Sequence, residues 1–171
     1  TLMTTDEIYN RIKETGIKNV TLTGGEPLLR DGIKELLEKI ASDKFLSCEI
    51  ETNGSIDLKQ FCDIPNRPYF TMDYKLKSSG MEDKMLLSNF DVLGKNDVVK
   101  FVSSNEEDLQ KALYIIKKYN LTEKCRVYIS PVFGSINPEE IVNFMKENKL
   151  NNVNLQLQMH KIIWDPNKRG V

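Results

Sequence analysis

The sequence predicts an α/β fold in which parallel strands alternate with helices and form a partial, open (β/α) barrel. Strand-like and helix-like segments alternate along the chain, and the helical segments are long enough to cross between parallel strands. The chain has 171 residues, whereas a closed eight-stranded barrel typically takes about 250. We therefore expect a single domain over residues 1–171 whose sheet does not close.

Caps and apolar spacing identify the helices. In the first, Ile8 and Ile12 lie four residues apart, a Thr-Thr-Asp sequence precedes the segment and Gly16 ends it. Similar apolar stripes mark three later segments, and a weaker one follows residue 57. The predicted helices are 7–16, 31–41, 57–62, 106–119 and 138–147.

Short runs rich in β-branched and aromatic residues indicate six strands between these helices. They are predicted at 18–23, 46–51, 69–72, 98–102, 126–129 and 153–157. Residues 77–91 indicate loops and short helix, and residues 158–171 form a polar tail that contains the only His and the only Trp. In parallel α/β folds, functional residues lie at the carboxyl ends of the strands.

The charge balance and composition exclude several classes of protein. Lys and Arg number 24 and Asp and Glu 25, a net charge of −1, which argues against a nucleic-acid-binding protein. No apolar run reaches the roughly 18 residues of a membrane-spanning helix, and the first residues lack the layout of a secretory signal. Three cysteines, an odd number, do not form a disulfide framework. We therefore expect a cytoplasmic protein with no membrane or nucleic-acid partner.

Four unusual segments directly follow predicted strands. They are GGEP at 24–27, TNGS at 52–55, DYK at 73–75 and SP at 130–131. Because the carboxyl ends of parallel strands lie at one edge of a sheet, these segments would line one rim together. The position of all four segments at one rim is stronger evidence for a functional site than any one segment alone.

The GGEP segment has two interpretations on its own. Its glycines allow a sharp turn and expose backbone groups to a ligand, while Glu26 can accept hydrogen bonds from an ammonium or hydroxyl group. Pro27 fixes the exit into the next helix. The alternative, which composition alone favours, is a structural turn in which Glu26 caps that helix. A phosphate-binding loop is excluded because the Lys-Ser/Thr spacing is absent.

Longer stretches around these segments resemble a known family. TLTGGEPLLR at 21–30 is similar to the GGEP segment of the radical S-adenosylmethionine superfamily, which receives the methionyl amino group of the cofactor. ETNGS at 51–55, MDYKLKSSG at 72–80 and LQLQMHKIIWDPNKRGV at 155–171 resemble the clostridial-type branch of the 7-carboxy-7-deazaguanine synthase family. The resemblance covers nearly the whole chain. It implies a partial barrel of the radical S-adenosylmethionine type that lacks its first strand and cluster loop.

The resemblance implies a lyase of queuosine biosynthesis, a pathway of tRNA modification. In that family a reduced 4Fe–4S cluster cleaves S-adenosylmethionine to a 5′-deoxyadenosyl radical, which removes a hydrogen from 6-carboxy-5,6,7,8-tetrahydropterin. Ring contraction then gives 7-carboxy-7-deazaguanine with loss of ammonia, assisted by magnesium. A flavodoxin or ferredoxin would supply electrons, and homodimers are common in the family.

The same resemblance assigns residues to the cofactor. Gly24, Gly25 and Glu26 would hold the methionyl amine. Lys75 would contact the methionyl carboxylate or a hydroxyl group, although on its own it is more typical of a surface lysine. Asn53 would contact a ribose hydroxyl or a carboxylate, although Asn-Gly is also an ordinary turn pair. The remaining assignments are Asp73 and Tyr74 along the cofactor and Ser130 and Pro131 beside the adenosine.

Four residues are assigned to the substrate by resemblance. Thr23 would reach the pterin from the end of the first strand, and Glu51 would accept hydrogen bonds from its amino-pyrimidine edge. The tail, residues 158–171, would close over the site with His160 and the terminal carboxylate of Val171. A lone His is usually structural, and on the residues alone a structural role and a site role are equally favoured for His160.

The cysteines do not supply the expected cluster ligands. The superfamily holds its cluster with three closely spaced cysteines, whereas Cys48, Cys62 and Cys125 are far apart and lie in or near apolar segments. We therefore assign no catalytic or metal-binding residue in this chain. We expect the ligands of the cluster and of magnesium upstream of Thr1, so that these residues alone are inactive.

Two alternatives remain open. An activating enzyme of the same superfamily, which makes a glycyl radical on a partner protein, would share the GGEP segment but leave the tail without a role. A cofactor-free α/β binding module would use GGEP only as a turn.

Overall fold

Six parallel strands form the sheet of this protein. The computed structural model describes residues 3–165 and 168. The strands are β1 (Asn19–Leu22), β2 (Ser47–Thr52), β3 (Tyr69–Tyr74), β4 (Val98–Ser103), β5 (Arg126–Pro131) and β6 (Val153–Leu155). Each strand pairs in parallel with the next one in chain order.

Helices and short turns connect the strands. The helices are α1 (Thr5–Glu14), α2 (Ile33–Ser42), α3 (Glu106–Lys118), α4 (Leu121–Lys124), α5 (Pro138–Glu147) and α6 (Met159–Ile163). Short 3₁₀ turns occupy Pro27–Leu29, Leu58–Phe61, Lys77–Ser79, Glu82–Lys84 and Leu87–Asp91. Capping boxes at Thr4 and Asn137 start α1 and α5. Over the described residues, no helix has the length and apolar character needed to cross a membrane.

The strand order confirms the predicted open, partial barrel. Consecutive parallel strands are the arrangement of a (β/α) barrel, whereas the order of a doubly wound sheet reverses at a switch point. In the part of the chain that the structure describes, β1 pairs only with β2 and β6 only with β5, so the sheet is not closed.

Most element ends differ by one or two residues from the sequence prediction, and the helix predicted at 57–62 is a short 3₁₀ turn. The shifts in two strands bear on the predicted site. β3 and β5 each run two residues further, so Asp73, Tyr74, Ser130 and Pro131 belong to the strands instead of following them. The reason is that both strands continue to pair with β4 up to these residues. The polar tail, for which the sequence analysis predicted no element, contains the helix α6.

The sheet separates an apolar core from a polar face. Side chains alternate along each strand. Those on one side, such as Phe70, Met72 and Phe101, are fully buried in a cluster that includes residues of α2, α3 and α5. We call the other side the polar face. It carries Thr21, Glu49, Glu51, Thr71, Asp73, Lys100, Tyr128 and Asn154.

Asp97 anchors the amino end of the sheet, just before β4. Its fully buried carboxylate accepts two hydrogen bonds from the Arg67 guanidinium, at 3.1 and 2.7 Å. The backbone amides of Phe70 and Gly94 donate two more, at 2.9 and 2.7 Å. A buried carboxylate is costly unless it is paired and hydrogen-bonded, and Asp97 meets both conditions.

Asp97→Ala should lower the free energy of unfolding by about 3–5 kcal/mol, because breaking a buried ion pair leaves the other charge uncompensated. Urea denaturation followed by circular dichroism measures this change. The control is Asp91→Ala, whose side chain is 75% exposed and lies 3.8 Å from Lys124. It should change the free energy by less than about 0.5 kcal/mol. Equal effects of the two substitutions would contradict the anchoring role of Asp97.

Candidate active site

A cavity of about 160 Å³ at the carboxyl ends of β1 to β4 brings together six of the thirteen predicted site residues. It opens on the polar face. Thr52, Thr71 and Lys100 line it together with six residues that the sequence analysis singled out. Those six are Thr23, Gly25, Glu51, Asn53, Asp73 and Lys75.

The glycines of GGEP give the loop after β1 a backbone that other residues rarely adopt. Gly24 and Gly25 have φ values of +91° and +62°. A Cβ atom at either position would meet nothing within 4 Å, so the backbone conformation, and not crowding, requires glycine. Gly25 lines the cavity, whereas Gly24 lines a neighbouring one that also includes Ile8 of α1.

The Glu26 carboxylate ties this loop to the end of β2. Glu26 is 7% exposed and accepts hydrogen bonds from the Asn53 amide at 2.7 Å and the Thr52 hydroxyl at 3.0 Å. It also accepts one from the Leu28 amide at 3.2 Å, which is the cap that the structural interpretation of GGEP predicted. The side chain is therefore engaged inside the chain, and the loop has its backbone left for a ligand.

Each of the two carboxylates at the cavity is held through one of its oxygens. Thr23 Oγ1 donates to Glu51 Oε2 at 2.9 Å, and Lys75 Nζ lies 2.5 Å from Asp73 Oδ2. Asp73 Oδ1 is buried and has no hydrogen-bond partner in the described part of the chain. Because an unmatched buried oxygen is costly, it marks a position for a donor group of a ligand.

Besides Gly24 and Glu26, three more predicted cofactor residues do not line this cavity. Since β3 continues to Tyr74, alternation turns that side chain to the side opposite Asp73. The Tyr74 ring packs 5.9 and 5.3 Å from two phenylalanine rings, and burial raises the pKa of its hydroxyl. Ser130 Oγ donates to the Gln156 carbonyl at 2.7 Å, and Pro131 lines a separate apolar cavity of about 470 Å³.

The predicted tail contacts stay predictions. The backbone of His160 lies in α6, but its side chain and Val171 lie outside the described residues.

Comparison with known proteins decides the family. The Radical SAM superfamily matches residues 1–147. A 7-carboxy-7-deazaguanine synthase of Clostridium acetobutylicum is 63% identical over 171 residues, which are 100% of this chain and 77% of that protein. The chain belongs to the 7-carboxy-7-deazaguanine synthase family of radical SAM proteins. The resemblance drawn from the sequence is thereby confirmed.

Two further relatives agree with this family. A 7-carboxy-7-deazaguanine synthase of Chlorobaculum tepidum is 34% identical over 175 residues, covering 100% of this chain and 77% of that protein. The crystal structure of QueE from Escherichia coli has a TM-score of 0.63 at 19% identity. That match covers 91% of this chain, which spans 64% of the Escherichia coli chain. At this identity it supports the fold alone.

Radical SAM proteins use S-adenosylmethionine and a 4Fe–4S cluster. The cavity fits the methionyl end of S-adenosylmethionine, which carries an ammonium and a carboxylate. Asp73 Oδ1, which has no partner in the described chain, and the open backbone at Gly25 would accept hydrogen bonds from the ammonium. Lys75 and Lys100 line the same cavity and carry the charge opposite to that of a carboxylate.

The cysteines do not fit the cluster. Cys48 and Cys125 are buried, and burial raises their thiol pKa values to about 12 and about 11, away from the thiolate that binds iron. Cys48 and Cys62 line a cavity of about 830 Å³ at the amino ends of the strands, opposite the candidate site. Within residues 3–165 and 168, no three His, Cys, Asp or Glu side chains are grouped to hold a metal ion.

The sequence analysis missed Thr71 and Lys100, which line the cavity, and Asp108, which binds two loops at the same end of the sheet. Asp108 in α3 is 1% exposed and accepts hydrogen bonds from the amides of Ser78 and Ser104, at 3.3 and 2.9 Å, and from both hydroxyls. It thus joins the loops that follow β3 and β4. Asp108 could have been found from its place three residues after Asn105, the spacing of a helix cap. Lys100 could have been found as the one charged residue among the apolar residues of β4.

Glu26→Ala should lower the free energy of unfolding by about 2–4 kcal/mol, because three buried donors lose their acceptor. Glu26→Gln, which keeps one oxygen acceptor, should cost less. Urea denaturation measures both. Glu14→Ala, an exposed glutamate at the end of α1, is the control and should stay within about 0.5 kcal/mol of the wild type. A Glu26→Ala protein as stable as this control would show that the loop is held by other contacts.

Asp108 should make stability depend on pH. Burial alone raises the pKa of Asp108, but hydrogen bonds from Ser78 and Ser104 outweigh burial and hold the pKa below its ordinary value of 3.8. The stabilisation is therefore present above about pH 4 and is lost as the pH falls through the lowered pKa of the folded state.

The measurement compares the unfolding free energies of the wild type and Asp108→Asn between pH 7 and pH 2.5, roughly the range over which carboxylates titrate. The wild type should be more stable by about 1–3 kcal/mol at neutral pH, and the difference should shrink below about pH 4. The exposed Asp83→Asn is the control. A difference that does not change with pH would contradict the role of the Asp108 charge.

Proposed function

We propose that this protein converts 6-carboxy-5,6,7,8-tetrahydropterin to 7-carboxy-7-deazaguanine with loss of ammonia. The observation that carries the proposal is the cavity beside the GGEP loop, where six residues singled out from the sequence converge. The 63% identity to a protein named 7-carboxy-7-deazaguanine synthase supports the same reaction.

The chain's own residues would bind and orient the two reactants. Bound S-adenosylmethionine supplies the group that abstracts hydrogen from the substrate. The Gly25 backbone and the Asp73 carboxylate would receive its methionyl ammonium. A ligand fixed at two points on the rigid ends of β1 and β3 keeps its reactive end in one place relative to the substrate.

Glu51 would select the amino-pyrimidine edge of the pterin. One oxygen of its carboxylate already accepts from Thr23, which fixes the orientation of the group. Glu51 lines the cavity together with Asn53 and Thr71. An amino group beside a ring N–H presents two donors, which a carboxylate matches better than any neutral acceptor.

The proposal extends to parts that the family resemblance implied. Of the further cofactor residues, Asn53 lines the cavity and belongs to the proposed site, whereas Tyr74, Ser130 and Pro131 are assigned to the cofactor by the family resemblance alone. His160 and Val171 belong to a proposed tail over residues 158–171 that closes on the substrate. The proposal also includes magnesium, a flavodoxin or ferredoxin as electron donor, a homodimer and a cytoplasmic location. The described side chains contain no group of three metal-binding residues, so no step is assigned to the cluster or to magnesium.

The direct test uses protein that includes the cysteine-bearing segment expected upstream of Thr1, with its cluster reconstituted. Product formation is measured with the pterin, reductant and S-adenosylmethionine. The wild type should form 7-carboxy-7-deazaguanine. Glu51→Gln should lower kcat/KM for the pterin by about 100-fold, since a buried polar edge loses its charged partner, while S-adenosylmethionine binds as before.

Glu49→Gln is the matched control for this test. Glu49 lies on the same strand and face, but it accepts from Thr71 at 2.5 Å and does not line the cavity. Wild-type protein that cleaves the cofactor without forming the product would overturn the proposed reaction. Equal losses in Glu51→Gln and Glu49→Gln would remove Glu51 from the substrate site.

A further inference from the structure

One row of polar side chains crosses the polar face at the level of the cavity. The strand register pairs Asp73 with Lys100, Lys100 with Tyr128, and Tyr128 with Asn154. Equivalent positions inside (β/α) barrels are mostly filled by bulky branched apolar residues. Four adjacent polar residues at one level therefore favour a polar ligand over side-chain packing.

Lys100 is the member of this row whose charge is unmatched. It is partly buried and lines the cavity, and its ammonium makes no hydrogen bond or ion pair with another described residue. Lys75 differs, because its ammonium already contacts Asp73 Oδ2. Asp73 Oδ1, on the strand position paired with Lys100, is also without a partner in the described chain. A donor and an acceptor that lie side by side without pairing are available to a ligand.

The charge of the cavity wall indicates which ligand group Lys100 takes. Glu51 and Asp73 already place two carboxylates there, so an anionic ligand group would be repelled unless a cation faced it. Lys100 is such a cation. An ammonium that is partly removed from water gains most from a charged acceptor, and a carboxylate is the charged acceptor that matches it.

We propose that Lys100 is a specificity-determining residue that binds a carboxylate of the bound small molecule, with Asp73 Oδ1 accepting from a donor of the same molecule. The inference rests on the proposed function, which brings two carboxylates to the site. One belongs to the pterin and the other to the methionyl group of S-adenosylmethionine. Both have the chemistry that Lys100 would recognise, and the experiment separates them.

The experiment measures binding by calorimetry under anaerobic conditions. Wild-type and Lys100→Met protein are compared, both with the cysteine-bearing segment expected upstream of Thr1 and a reconstituted cluster. The probes are 6-carboxy-5,6,7,8-tetrahydropterin, the same tetrahydropterin without its carboxylate, and S-adenosylmethionine. Lys95→Met is the matched control, because Lys95 is exposed beside the cavity at the opposite end of the strands. Lys100→Arg keeps the charge and should bind within about threefold of the wild type.

Lys100→Met should weaken one carboxylate-bearing probe by about 10- to 100-fold, the loss expected for a charge-assisted hydrogen bond. A loss for the carboxylated pterin but not for its analogue identifies the pterin carboxylate. A loss for S-adenosylmethionine alone identifies the methionyl carboxylate. Unchanged binding of both carboxylate probes, or an equal loss for all three, overturns the inference.

If Lys100→Met does not fold, the carboxylate site is tested by ligand binding to the wild-type protein. It should bind the carboxylated pterin at least about tenfold tighter than the analogue, or S-adenosylmethionine at least about tenfold tighter than its methyl ester. Equal binding within both pairs overturns the inference. Product formation is assayed separately. A wild type that forms no product overturns the proposed reaction, while an S-adenosylmethionine affinity that depends on Lys100 still supports the carboxylate site.

Discussion

The geometry of the site depends on the Glu26 carboxylate. β1 ends at Leu22, and the loop beyond it has no strand pairing of its own. By accepting hydrogen bonds from Thr52 and Asn53, Glu26 extends the register of β1 and β2 past the last paired residues. Gly25 and Asn53 face the same cavity for this reason. A turn held only by its own backbone would leave the loop free to move relative to β2.

The amino end of the sheet stabilises the fold, whereas the carboxyl end carries the candidate site. At the amino end, Asp97 meets Arg67 in a fully satisfied buried pair, and the cysteines pack as small apolar groups. At the carboxyl end, polar groups are left incompletely matched, as at Asp73 and Lys100. Matched buried charges stabilise a fold, whereas unmatched ones lower stability until a ligand supplies the partner. The polar groups that lower the stability of the free protein thus lie at the end of the sheet where a bound ligand can supply their partners.

The sequence predicted the centres of the strands and helices well, because apolar periodicity is a local property. It predicted their ends less well, since a strand continues as long as its neighbour pairs with it. Asp73 and Tyr74 illustrate the consequence: as part of β3 they point to opposite sides, and only Asp73 reaches the cavity.

Residues whose partners come from distant parts of the chain were the hardest to interpret. No local pattern could decide whether Glu26 caps a turn or faces a ligand, because Thr52 and Asn53 join it only on folding. Lys100 was overlooked because its meaning comes from the strand register, which places it beside Asp73. The family resemblance supplied the roles that local patterns could not.

The open sheet has a consequence for the behaviour of the protein in concentrated solution. Exposed strand edges offer unpaired backbone groups to which other chains can add, a common route to aggregation. In the described chain the two edge strands are also the shortest, with four residues in β1 and three in β6, whereas each inner strand has six. Within the described residues, each edge therefore offers few backbone groups to which another chain could add.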